Sequence, residues 1–133
     1  MPSLPSLPHL TFGNEKSGVH LLITAGVHGD EYEPIQAVRR LIVEFQSLSL
    51  RGKVTLIPVV NQAAFKRLTR TADDGQDLAR VCPGRADGTP TEQVAAALSE
   101  FIRAADYYID LHTGGRLYDL LPLVGYTLHT DEH

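Results

Sequence analysis

The chain carries one cysteine in 133 residues, Cys82. No internal disulfide framework can form, which excludes the disulfide-stapled secreted class and points to a reducing compartment, with the cytoplasm as the expected location. Any Lys/Arg-rich block is also missing. Twelve basic residues against sixteen acidic ones give a formal net charge of -4, so neither a nucleic-acid footprint nor a basic membrane-binding surface is expected. The N-terminal stretch MPSLPSLPHL has no basic n-region, and Pro2, Pro5 and Pro8 interrupt its apolar residues. It reads as neither a signal peptide nor a membrane span, and residues 1–8 are expected to form a flexible lead-in. These absences leave a small molecule as the expected partner.

What is present is globular. A hydrophobic content of 43% fits one domain with a core of its own, expected over residues 9–128 and followed by a tail at 129–133. Leu10 to Phe12 and Val19 to Ala25, separated by a turn-rich stretch, predict a loose β-hairpin. The nearly continuous apolar run from Val19 to Ile23 implies a strand buried on both faces, with His20 packed or facing an edge. From Glu31, the residues Ile35, Val38, Ile42 and Phe45 recur at helical spacing, and Pro34 falls in the first turn. Lys53 to Val60 predicts a strand in which Pro58 marks an edge, a bulge or the last residues.

Asn61 to Gly88 is rich in charge and glycine with little hydrophobic periodicity, and predicts a long functional loop. Thr89-Pro90-Thr91-Glu92 has the form of a helix start: Thr as N-cap, Pro at the first position, Glu three residues after the cap. Val94, Leu98, Phe101 and Ala105 supply the buried stripe. Tyr107 to Leu111 predicts another strand, and Leu120 to Val124 and Tyr126 to Leu128 two further segments. The order strand, helix, strand, loop, helix, strand predicts a three-layer α/β fold, with a largely parallel or mixed sheet and helices on both faces.

The chemistry concentrates in GVHGDE, Gly26 to Glu31, where the strand ends and the helix begins. In open α/β sheets this turn binds ligands. An imidazole and a carboxylate three residues apart, His28 and Glu31, can bend toward one cation of the zinc type, with Gly26 and Gly29 relaxing the backbone. A third ligand has to come from another strand end, and His112 stands at one. Asp110, two residues earlier on the same strand, faces the same way.

Four linked motifs, GVHGDE at 26–31, Asn61 followed by Arg70, DLAR at 77–80 with Pro83-Gly84 after it, and DLHTGG at 110–115, occur in the order seen in one family. The chain resembles the zinc-dependent succinylglutamate desuccinylase and aspartoacylase family, which is similar in fold to the zinc carboxypeptidases. The resemblance covers roughly residues 19 to 125. It implies one zinc ion per chain held by His28, Glu31 and His112, and hydrolysis of an amide or ester bond of a small carboxylate-bearing substrate, such as an N-acyl amino acid, by a metal-activated water. It further implies that Asp77 fixes the tautomer of a ligand histidine; Asp110, by its place on the strand, is expected either to do similar work or simply to end the strand. Arg70 would polarise the scissile carbonyl, and Arg80 and Asn61 would bind substrate.

Two departures stand inside the motifs. Ala79 replaces the family's usual asparagine, removing an amide that would help hold the substrate, and Cys82 replaces the usual aromatic residue before Pro-Gly. Family members also continue well past the third ligand, through strands carrying the general-base glutamate. The chain is therefore expected to resemble a truncated carboxypeptidase-like domain, incomplete at its C-terminus, that self-associates or depends on the missing half. A carboxypeptidase-type peptidase and a non-catalytic metal-binding module remain as alternatives.

Overall fold

The computed structural model describes residues 3–14 and 18–126. Along the chain run β1 (Leu10–Gly13), β2 (His20–Thr24), α1 (Tyr32–Phe45), β3 (Lys53–Ile57), α2 (Gln62–Arg67), α3 (Leu78–Val81), α4 (Pro90–Arg103) and β4 (Tyr107–Asp110). The strands form one mixed sheet in the order β1-β3-β2-β4. β2 is parallel to both β3 and β4, with Thr24 opposite Ile57 on one side and Asp110 on the other.

The apolar run of β2 serves two cores at once, because successive side chains of a strand point to opposite faces. Leu22 and Ile57 pack on one face against Leu78 of α3 and Ala95 and Leu98 of α4. Ile23 and Leu56 pack on the other against Ile35 and Val38 of α1. This is the expected three-layer arrangement, with a mixed rather than wholly parallel sheet. The start of α4 also follows the sequence reading. Thr89 Oγ1 accepts from the Glu92 N–H at 3.2 Å while Glu92 Oε2 accepts from the Thr89 N–H at 2.8 Å, a complete capping box, which satisfies two N–H groups that the helix leaves open.

Several expectations are corrected. β1 does not form a hairpin with β2; it runs antiparallel to β3, with Leu10 opposite Leu56 and Phe12 opposite Val54. The reason lies in burial: β1 is mostly exposed and suits an edge, whereas β2 is buried and needs a strand on each side. β3 ends at Ile57, so Pro58 falls just past an internal strand, where no ladder bond is lost. The expected lead-in contributes to the core, since Leu7 is buried with Leu22 and Leu98, and Leu4 packs against the same cluster. The long loop from Asn61 contains two short helices, α2 and α3. Leu120 to Val124, expected as a further segment, is irregular: it pairs with no strand among the described residues, Pro122 lacks an N–H, and Leu121 and Val124 are 87% and 89% exposed. Tyr126 is likewise irregular, and Thr127, Leu128 and the expected tail lie outside the described residues.

His20 is a packed residue, as its position in the run suggests. Its Nδ1 pairs with the Ala104 carbonyl at 2.8 Å and its Nε2 with Thr55 Oγ1 at 2.9 Å. β4 is the second edge of the sheet, and its Tyr107, Tyr108 and Ile109 are 64%, 38% and 44% exposed.

Candidate metal centre

The carboxyl ends of the three parallel strands deliver the site. His28 follows β2, Asn61 and Arg70 follow β3, and His112 follows β4, so sheet topology gathers residues far apart in sequence. Two glycines let the first of these loops pass. Gly26 has φ +66, and at Gly29 a Cβ would meet the Ala64 carbonyl carbon of α2 at 2.1 Å, so only a hydrogen fits there.

Glu31 is the centre of the cluster. It is 2% exposed and stands at the N-cap of α1, but its carboxylate caps nothing. It is engaged instead by two imidazoles, with His28 Nδ1 at 2.7 Å from Oε1 and His112 Nδ1 at 3.0 Å from Oε2. The Thr113 N–H donates to Oε2 at 2.9 Å. Burial alone would raise the Glu31 pKa, but the bonds from His112, His28 and Thr113 outweigh it and hold the carboxyl at about 2.

Each imidazole is gripped from behind. His28 Nε2 lies 3.0 Å from Asp77 Oδ1, and His112 Nε2 lies 2.6 Å from Asp110 Oδ2. The Arg70 guanidinium closes one end, donating to Asp77 Oδ2 at 2.9 Å and standing 3.6 Å from Glu31 Oε1. Desolvation would raise Asp77, yet His28 and Arg70 together keep it below the usual carboxylate range. The Asp110 bond first, and the Glu31 bond second, push His112 up to about 10 against the opposing effect of burial.

The donor set fits a divalent cation on chemical grounds. Four histidine–carboxylate contacts require four N–H groups, and two neutral imidazoles carry only two. With the Nε2–H groups kept on Asp77 and Asp110, both Nδ1 lone pairs are free to face a cation beside Glu31, the pattern of carboxylate-backed histidines at zinc sites. One ligand atom from each of His28, Glu31 and His112 lies within 4.8 Å of the other two.

The structure thus brings His28, Glu31, His112, Asp77, Asp110 and Arg70 into one connected network. Two expected residues stand apart from it. Asn61 is buried and caps α2, its Oδ1 accepting from the Ala64 N–H at 3.0 Å, while its Nδ2 is buried with no partner among the described residues. Arg80 sits on α3 with an exposed side chain that makes no ion pair among the described residues. Thr24, whose hydroxyl reaches Asp110, and the Thr113 backbone were not anticipated. The first would have required the pairing of β2 with β4, and the second is a main-chain group with no side-chain signature.

A mixed sheet covered on both faces, with two histidines and a glutamate gathered at the ends of its parallel strands, defines the class of zinc carboxypeptidase-like folds. Comparison with known proteins narrows the class to a family. The succinylglutamate desuccinylase/aspartoacylase catalytic domain matches residues 17–132, and the chain belongs to that family. It is 37% identical over 107 residues to the N-alpha-acetyl-L-2,4-diaminobutyric acid deacetylase of Halomonas elongata, covering 79% of this chain and 31% of that protein. It is 34% identical over 123 residues to the succinylglutamate desuccinylase of Burkholderia orbicola, covering 79% of this chain and 35% of that one. Among solved structures, the succinylglutamate desuccinylase/aspartoacylase of Rhodobacter sphaeroides superposes with a TM-score of 0.73 at 37% identity, over 82% of this chain and 34% of that one. The chain therefore spans about a third of the length of the curated relatives it matches.

Proposed function

We propose that this chain is the metal-binding part of a zinc-dependent deacylase that hydrolyses the amide or ester bond of a small acylated amino acid. The observation that carries the reading is the convergence of His28 and His112 on the buried Glu31 carboxylate, with a further carboxylate behind each ring. Relatives named as a deacetylase and a desuccinylase support the substrate class. In this reading one zinc ion per chain is held by His28 Nδ1, His112 Nδ1 and Glu31. When bound, it supplies Lewis acidity, lowering the pKa of a water toward neutrality and polarising a carbonyl.

The chain's own residues do the rest. Asp77 and Asp110 hold the two Nε2–H groups, which fixes the tautomers and aims both Nδ1 atoms inward. Arg70, half exposed beside Glu31, is placed to donate to a carbonyl oxygen as negative charge develops on it. Arg80, with a free planar fork, is the candidate clamp for the substrate carboxylate. The buried, unpaired Nδ2 of Asn61 is a second substrate donor in this reading. The location is taken as cytoplasmic, the reducing compartment that a single cysteine fits. The open edge of β4 supports self-association or dependence on a partner.

The test is to offer the zinc-loaded chain a panel of N-acyl amino acids and follow both binding and amine release. Binding or cleavage that needs zinc and is lost in Arg70→Ala supports the proposal. A zinc-loaded chain that neither binds nor cleaves any member of the panel contradicts it.

A further inference from the structure

The two histidines are held in place by different means. His28 is enclosed, with its side chain only 5% exposed, so packing fixes its ring. His112 is 36% exposed and its Asp110 partner 21% exposed, so the orientation of the ring depends on a carboxylate that itself needs an anchor. That anchor lies inside the sheet. Thr24, the last residue of β2, is fully buried and stands opposite Asp110 in the parallel register. Its Oγ1 is 2.7 Å from Asp110 Oδ1 and 3.1 Å from the Tyr108 hydroxyl. A threonine hydroxyl has one proton, and the carboxylate is the nearer acceptor, so Thr24 donates to Asp110 and Tyr108 donates to Thr24. Tyr108 and Asp110 are two apart on β4, which puts both side chains on one face of the strand.

We propose that Thr24 is a positioning residue for the metal centre: its hydroxyl, seated by Tyr108, fixes the Asp110 carboxylate in the orientation that turns His112 Nδ1 toward Glu31. The inference rests on the reading of His28, Glu31 and His112 as zinc ligands and adds to it a hydrogen-bonded chain, Tyr108 to Thr24 to Asp110 to His112. A buried β-strand threonine needs only some partner for its hydroxyl. Here that partner is the carboxylate behind the more exposed ligand. Replacing the hydroxyl by a methyl leaves the shape unchanged but strips one Asp110 oxygen of its donor and the Tyr108 hydroxyl of its acceptor.

The experiment compares wild type, Thr24→Val, Thr24→Ser and Tyr108→Phe. It measures zinc affinity by competition with a chromophoric chelator, the visible spectrum of the cobalt(II)-substituted proteins, and the melting curve of each. Thr24→Val is expected to weaken zinc binding about tenfold, within the range seen when partners of a metal ligand are removed, and to alter the cobalt spectrum. Thr24→Ser keeps the hydroxyl and is expected to restore both, and Tyr108→Phe to give a smaller loss in the same direction. A folded Thr24→Val protein with wild-type affinity and spectrum overturns the proposal, as does a Thr24→Ser protein no better than Thr24→Val. If Thr24→Val does not fold, Tyr108→Phe decides: its side chain is partly exposed, and wild-type behaviour there overturns the proposal. Wild type that takes up no zinc refutes the ligand reading itself, a distinct result in which the proposal falls with it.

Discussion

If His28, Glu31 and His112 hold zinc as proposed, uptake of the ion has to expel a proton from His112, and this sets a pH dependence that can be measured. In the metal-free site the ring lies between two carboxylates, 2.6 Å from Asp110 and 3.0 Å from Glu31, which hold its pKa at about 10 rather than 6.5. At neutral pH both ring nitrogens are therefore protonated. A cation beside Glu31 takes the Nδ1 position, and the proton there is released while the Nε2–H stays on Asp110. The apparent zinc dissociation constant should accordingly fall about tenfold per pH unit from about pH 7 to about pH 9, with about one proton released per zinc from His112. Chelator-buffered titrations at several pH values measure the first, and calorimetry in buffers of different ionisation enthalpy the second. Asp110→Asn removes the largest cause of the shift and should move the sloping region to lower pH. An affinity that is flat above about pH 7.5 in wild type, as expected of a histidine with an ordinary pKa, refutes the reasoning.

The same ring gives the metal-free protein a stability that depends on pH. Its folded pKa lies above the unfolded value of 6.5, so its contribution is complete below about pH 6.5 and is lost as pH rises through about 10. Glu31 has the opposite sign: its pKa is lowered from 4.5 to about 2, so its contribution is present above about pH 4.5 and lost as pH falls toward 2. Melting temperatures of chelator-treated protein should therefore decline on both sides, Asp110→Asn removing most of the alkaline decline and Glu31→Gln most of the acid one. Gly29→Ala places a Cβ 2.1 Å from a backbone carbon of α2 and should cost at least 1–3 kcal/mol, the usual range for overpacking, read as a lower denaturant midpoint. Asp74 accepts from the Thr91 N–H at 2.9 Å and the Thr91 hydroxyl at 2.7 Å, pinning the loop before Asp77 to the start of α4. Asp74→Ala should lower stability by about 1–2 kcal/mol by chemical denaturation, and an unchanged midpoint would rule out that anchoring role.

The sequence reading succeeded where local chemistry decides the outcome. The α4 start at Thr89-Pro90-Thr91-Glu92 forms the expected cap, and the mainly apolar β2 run is buried on both faces, with its polar ends His20 and Thr24 hydrogen-bonded inside. The candidate ligands His28, Glu31 and His112 also lie together, although their meeting rests on the pairing of β2 with β4 and not on local chemistry. It failed where pairing between distant segments decides. β1 and β2 looked like a hairpin, but β3 offers β1 an edge position while β2 takes the centre. The apolar run from Leu120 to Val124 read only as a further segment, and it stays irregular and exposed, since apolar composition gives no ladder without a partner. Thr24 was unreadable for a related reason: its value lies in standing opposite Asp110, which only the register reveals. Glu31 broke a local rule, an acid at an N-cap that caps nothing, and such breaks mark functional sites.

The most direct test of the central claim is the metal content of protein purified without chelator, measured by elemental mass spectrometry for wild type and His112→Ala in parallel. The account predicts about one zinc per wild-type chain, with three protein ligands, and its loss in the mutant. A wild-type chain that holds no zinc even after zinc is offered, or a His112→Ala chain that holds as much as wild type, would contradict it.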